Sequence, residues 1–96
     1  MKLRSFAHKS LKRLYRDDNA KGVPAEAVDK LRKMLAFLEA MEDRDEILTL
    51  PMWKAHMLKG DRAGTWSLSV TANRRLTFFV DEAEDEICDL NLEDYH

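Results

Sequence analysis

Three groups of side chains in this 96-residue chain have the chemistry of phosphate and proton transfer. Lys54, His56 and Lys59 stand just before a turn at Gly60. Arg74 and Arg75 open an alternating stretch, and Asp94, Tyr95 and His96 close the sequence. An imidazole moves protons near neutral pH. A guanidinium presents a planar fork to phosphate oxygens and never loses its charge, and a lysine adds a compact cation. Such a set suits cleavage of RNA, because the ribose 2′-hydroxyl supplies the nucleophile. The protein must take the hydroxyl proton, hold the phosphate in line, neutralise its added charge and protonate the departing 5′-oxygen. DNA lacks the 2′-hydroxyl and cannot be cut in this way. His56, Asp94 and His96 could be drawn around a zinc ion, but their spacing fits no metal motif, and neither metal nor cofactor is expected. The sequence has no P-loop, no dinucleotide fingerprint and no Gly-x-Ser-x-Gly elbow.

Scattered side chains work together only if a fold gathers them. A chain of 96 residues suits a single domain, residues 1–96, and 45% apolar with 35% charged residues suits a globular one. Charged residues interrupt every long apolar stretch, and the basic start lacks the apolar core of a secretory signal. Cys88 is the only cysteine, which excludes an internal disulfide and a cysteine-based zinc site. The expectation is a cytoplasmic protein with no membrane partner. The net charge of −2 hides a segregation. Up to Val80 there are 16 basic and 10 acidic residues; from Asp81 on there are 8 acidic residues and no basic ones. An acidic end argues against bare, non-specific nucleic-acid binding.

Ser5 to Arg16 reads as a short basic helix with Phe6, Leu11, Leu14 and Tyr15 on one side. Pro24 suits the first position of a second helix, which runs to about Met41 with Val28, Leu31, Leu35 and Leu38 as its apolar stripe. Residues 43–51 read as a turn and an irregular segment, and the stretch from Trp53 to Gly60 is ambiguous. Three alternating strands follow, over 65–71, 75–80 and 86–92. Trp66, Leu68, Val70, Leu76, Phe78, Val80, Cys88, Leu90 and Leu92 take the inward parity. Short loops between them predict antiparallel neighbours. Helices first and strands last imply an α+β layer with helices on one sheet face and the other face open. Arg75 has the parity of the open face.

Taken singly, each candidate has a plainer reading: a surface histidine, a solvated turn, a charged strand edge, a frayed terminus. Their joint pattern is more specific. Trp53-Lys54-Ala55-His56-Met57-Leu58-Lys59-Gly60-Asp61-Arg62-Ala63-Gly64-Thr65-Trp66-Ser67-Leu68 resembles the "K-x-H-x-L-K-G-D-R-x-G-x-W-S-I" pattern of HigB toxins in the RelE/ParE superfamily. Ala72-Asn73-Arg74-Arg75-Leu76-Thr77-Phe78 is similar to its "A-N-x-R-I-T-F", and Glu93-Asp94-Tyr95-His96 to its terminal "E-D-Y-H". Ser5-Phe6-Ala7-His8-Lys9-Ser10-Leu11-Lys12 resembles "S-F-x-H-K-G-L-K", and Gly22-Val23-Pro24-Ala25 also fits. The likeness covers nearly the whole chain in order.

This resemblance implies a microbial RNase (RelE-like) fold, two helices on a small, mostly antiparallel twisted sheet, with an early strand within Met1–Arg4. It implies metal-free, ribosome-dependent cleavage of mRNA in the decoding site of the small subunit. It also implies a helix-turn-helix antitoxin resembling HigA, through which alone operator DNA is bound. His56, Lys59, Arg75, Asp94, Tyr95 and His96 fall on active-site positions of the family. His96 is assigned to proton transfer, Lys59 and Arg75 to charge stabilisation, Tyr95 to orienting the RNA, and Asp94 to orienting His96 or Lys59. Lys54, Arg62 and Arg74 are candidates for contacts to RNA phosphates. Two features depart from the family pattern. Arg74 stands where relatives often carry an aromatic, and the run Glu82, Glu84, Asp85, Glu86 is unusual for a protein that docks on ribosomal RNA. Two alternatives remain: a non-catalytic gyrase inhibitor like the ParE branch, and an inactive co-repressor that binds the antitoxin.

Overall fold

The computed structural model describes residues 1–94; Tyr95 and His96 lie outside the described residues. The sheet has five strands: β1 (Lys2–Leu3), β2 (His56–Met57), β3 (Thr65–Thr71), β4 (Arg74–Asp81) and β5 (Glu86–Asp94). Their spatial order is β1-β5-β4-β3-β2. All neighbours are antiparallel except β1 and β5, which run parallel. Helices α1 (Lys9–Asp17) and α2 (Val28–Ala40) cover one face. The α+β layer expected from the sequence pattern and the early strand implied by the family resemblance are both present. Among the described residues, no helix is long and apolar enough to cross a membrane.

The first helix starts later than its apolar pattern suggests. Phe6 forms an isolated parallel bridge with Leu90, and its ring packs 5.3 Å from that of Tyr15. Phe6 thus shares a surface with the helix without belonging to it. His8 caps the helix, its Nδ1 accepting the N–H of Leu11 at 3.1 Å. The helix ends where Asp18 turns left-handed, at φ 52°. Leu11 and Leu14 face the core. Pro24 stands before a single 3-10 turn, Ala25–Ala27, and α2 proper begins at Val28. Its stripe of Leu31, Met34, Leu35 and Leu38 is buried, with Val28 only partly so. Residues 44–49, expected to be irregular, form a 3-10 helix held by a reciprocal cap between Asp43 and Glu46.

Trp66, Leu68, Val70, Leu76, Phe78, Ile87 and Leu90 meet the helices from the sheet. Ile87 and Leu90 are three residues apart, which strict alternation forbids. Asp89, at φ 55°, supplies the extra residue: Phe79 pairs with Cys88 but Thr77 with Asn91. This β-bulge moves Cys88 out of the inward parity assigned to it from the sequence. Cys88 is buried, opposite Phe79 and apart from the main core cluster. Ser5 pins the bulge. Its Oγ accepts the N–H of Asp89 at 2.8 Å and donates to the Asp89 carboxylate at 3.2 Å.

Candidate active site

The face away from the helices is ruled by strand pairing. His56 pairs with Ser67, Ser67 with Thr77, and Thr77 with Asn91, so these four form one row across β2, β3, β4 and β5. Ser69, Arg75 and Glu93 form the next row. Because side chains two residues apart share a face, the two rows stand side by side. They enclose a cavity of about 390 Å3, lined by His56, Leu58, Arg62, Ser67, Arg75, Thr77, Glu93 and Asp94. A second cavity of about 230 Å3 adjoins it along β5 toward Asn91 and Asp89.

His56 lies on the edge strand and is exposed. Its Nδ1 faces the backbone carbonyl of Lys54 at 3.1 Å, which Lys54 presents from a left-handed conformation at φ 49°. In the neutral ring Nδ1 then donates to that carbonyl, and Nε2 carries the lone pair that can take a proton. Arg75 is half-buried, as its parity predicts, and its Nη1 lies 3.4 Å from the hydroxyl of Ser69.

Arg62 reaches into the cavity from the 3-10 turn Gly60–Arg62. It grips Glu93 with both terminal guanidinium nitrogens, Nη1 and Nη2, at 2.9 and 2.5 Å, and Thr77 donates its hydroxyl to the same carboxylate. Glu93 is therefore held below the usual carboxylate range, first by Arg62 and also by Thr77, with burial opposing both. Arg62 is raised in turn by Glu93. Ser67 and Thr77 lie on the face expected to be wet, yet both are buried. The Ser67 hydroxyl has no hydrogen-bond partner among the described residues.

Of the residues singled out from the sequence, His56, Arg62, Arg75 and Asp94 thus line one cavity. Lys59 is exposed in the segment joining Leu58 to Arg62, which both line it. Lys54 contributes its carbonyl, and its side chain is exposed. Arg74 turns to Glu26 at 3.3 Å and to Asp94 at 3.6 Å. Asp94 accordingly faces Arg74 as well as the cavity. Tyr95 and His96 lie outside the described residues. Among the described residues, no group of three or more His, Cys, Asp or Glu is placed to hold a metal ion. Sequence reasoning assigned no role to Glu93, Ser67 or Thr77. The signal was available in strand parity, since Ser67, Thr77 and Glu93 all alternate with buried or inward residues. Chemically, the site joins a proton acceptor to one guanidinium beside Ser69 and a second guanidinium bound to a carboxylate.

Comparison with known proteins bears on this site. Residues 4–96 match the family described as the RelE-like toxin of type II toxin–antitoxin system HigB. A Proteus vulgaris protein named endoribonuclease HigB is 42% identical over 94 residues, which span 98% of this chain and 99% of the relative. Among solved structures, a YoeB/ParE toxin from Agrobacterium tumefaciens is 22% identical with a TM-score of 0.57, over 100% of this chain and 99% of its own. A chain of the YoeB–YefM complex from Staphylococcus aureus is 23% identical with a TM-score of 0.55, again over 100% and 99%. At such identities these two structures show a shared fold.

Proposed function

The chain belongs to the HigB-like toxins of type II toxin–antitoxin systems, and from that premise we propose that it is a single-domain, cytoplasmic endoribonuclease that cuts mRNA on translating ribosomes. The observation that carries this reading is the convergence of His56 on β2 and Arg75 on β4 upon one cavity of the uncovered sheet face. The name of the Proteus vulgaris relative supports the same activity.

In this reading the scissile phosphate sits beside Arg75. An imidazole takes the 2′-hydroxyl proton, the 2′-oxygen bonds to phosphorus, and the bond to the 5′-oxygen breaks as that oxygen receives a proton. A 2′,3′-cyclic phosphate and a 5′-hydroxyl result. His56 and His96 are assigned to the two proton transfers, with Nε2 of His56 as the basic atom. Arg75 and Lys59 neutralise charge that builds on the phosphate oxygens, Tyr95 orients the RNA, and Asp94 orients its neighbours. No step calls for a metal ion. Lys54 and Arg74 are left for outer phosphates. A cognate antitoxin restrains the protein; a HigA-like helix-turn-helix partner that alone contacts operator DNA fits this scheme. Docking at the decoding site of the small subunit falls to the exposed Lys9, Lys12, Arg13 and Arg16 of α1.

The test is induced expression without antitoxin, with transcript ends mapped at nucleotide resolution. Wild-type protein is expected to leave ends within translated codons, and His96→Gln to abolish them while melting as the wild type does. General-base or general-acid loss costs about 10²–10⁴ in rate. Full cleavage by His96→Gln would refute the proton-transfer assignment. Broken chromosomal DNA with intact transcripts would instead place the protein with gyrase inhibitors.

A further inference from the structure

An ion pair between Arg62 and Glu93 crosses the groove on the open face. Arg62 comes from the turn before β3 and Glu93 from near the end of β5, and they meet where Thr77 of β4 donates to the same carboxylate. These three residues line both cavities, the larger one beside Arg75 and the smaller one beside Asn91. The pair is thus a bar that divides one trough in two. A guanidinium fork that grips both oxygens of a carboxylate matches two oxygens of a phosphodiester equally well. Building on the ribonuclease reading above, we propose that Arg62 and Thr77 form a second RNA-phosphate subsite next to Arg75, and that the Glu93 carboxylate occupies this subsite until RNA displaces it.

The exchange is physically easy. The Arg62 side chain is 50% exposed and that of Glu93 27%, so water and salt already screen their attraction. A phosphate arriving at Arg62 replaces one anion by another and leaves no charge stranded. Glu93 swings toward solvent, the bar opens, and the two cavities join into a trough. The buried hydroxyl of Ser67, in the larger cavity, is a further polar group that a seated nucleotide can satisfy. With Glu93 in place, the same groove presents a carboxylate to incoming phosphate, so the free protein is held back from RNA that reaches it by chance.

The experiment titrates the purified full-length protein with a 2′-O-methyl trinucleotide, which cannot be cut, at low ionic strength, following backbone amides of β4 and β5 by NMR. Glu93→Gln frees the fork. Glu93→Asp keeps the charge but, one methylene shorter, loosens the grip. Both are expected to bind about three- to tenfold tighter than wild type, and Arg62→Gln more weakly by a similar factor. Tightening by Glu93→Gln alone, with Glu93→Asp at the wild-type level, would mean that net charge acts without exchange and overturns the proposal. So would an Arg62→Gln variant that binds as well as wild type. Thermal melts establish that each variant folds. Cleavage of mRNA in a translating extract is scored separately on the wild type. Its absence counts against the ribonuclease reading, whereas the order of affinities decides the subsite.

Discussion

His8 shows how one side chain ties acidity to folding. Its Nδ1 must stay unprotonated to accept the N–H of Leu11 and cap α1. Burial, and then the charge of Arg13, hold the ring below the usual histidine range. A lowered folded value means that the unfolded chain binds the extra proton. The contribution is therefore present above the ordinary histidine range and is lost as pH falls through the folded value. Wild-type stability is expected to drop between about pH 7 and about pH 5 by up to about 1 kcal/mol, the scale of one helix cap. His8→Asn, which caps without titrating, is expected to flatten that slope, and His8→Ala to lower stability at both ends. Denaturant midpoints of the three proteins across this range are the check. Histidine is not a common cap, which is why the sequence pattern extended the helix back to Ser5. A residue-type rule could not see that the ring accepts a backbone N–H.

Strand elements were legible where alternation was long and undisturbed. β3 begins and ends at the residues expected, and β4 differs by one residue at each end. β5 misled at Cys88 because a bulge resets parity, and parity assumes that no residue is added. β2 has two residues, too few for any period, so its pairing with β3 was invisible although it carries His56. The face left uncovered by the helices was inferred correctly, and Arg75 lies on it as its parity implied. The Arg62–Glu93 contact was not found, because no local pattern links residues from distant segments. Asp89 offers a test at this scale. It adopts φ 55°, which asparagine tolerates and β-branched residues resist. Asp89→Val is expected to cost about 1–2 kcal/mol and Asp89→Asn under about 0.5 kcal/mol, read from urea midpoints at constant slope.

Across the whole molecule the charge segregation of the sequence is folded away. Asp81 and Glu86 pair with Arg4, Glu86 also with Lys2, Glu82 with Arg44, Glu93 with Arg62, and Asp94 with Arg74. Water and salt screen such exposed pairs, so each stabilises little, but together they offset part of the charge of the acidic run. Within that run Glu82 is matched by Arg44 and Glu86 by Arg4 and Lys2, while Lys9, Lys12, Arg13 and Arg16 on α1 stay exposed. If α1 meets ribosomal RNA, the triple variant Lys9→Gln, Lys12→Gln, Arg16→Gln is expected to weaken ribosome association. It should also lower the dependence of log affinity on log salt by about 2–3 units, measured by co-sedimentation across a salt series.

The topology also has a bearing on how such a protein is made. β5 lies between β1 and β4, so the strand synthesised among the first residues, Lys2–Leu3, finds its neighbour only in Glu86–Ile87. Contacts this distant in sequence form late. A nascent chain that stalls before β5 lacks the strand that joins β1 to β4, and with it Glu93 and Asp94. A round of synthesis interrupted before β5 therefore releases a fragment without the assembled groove.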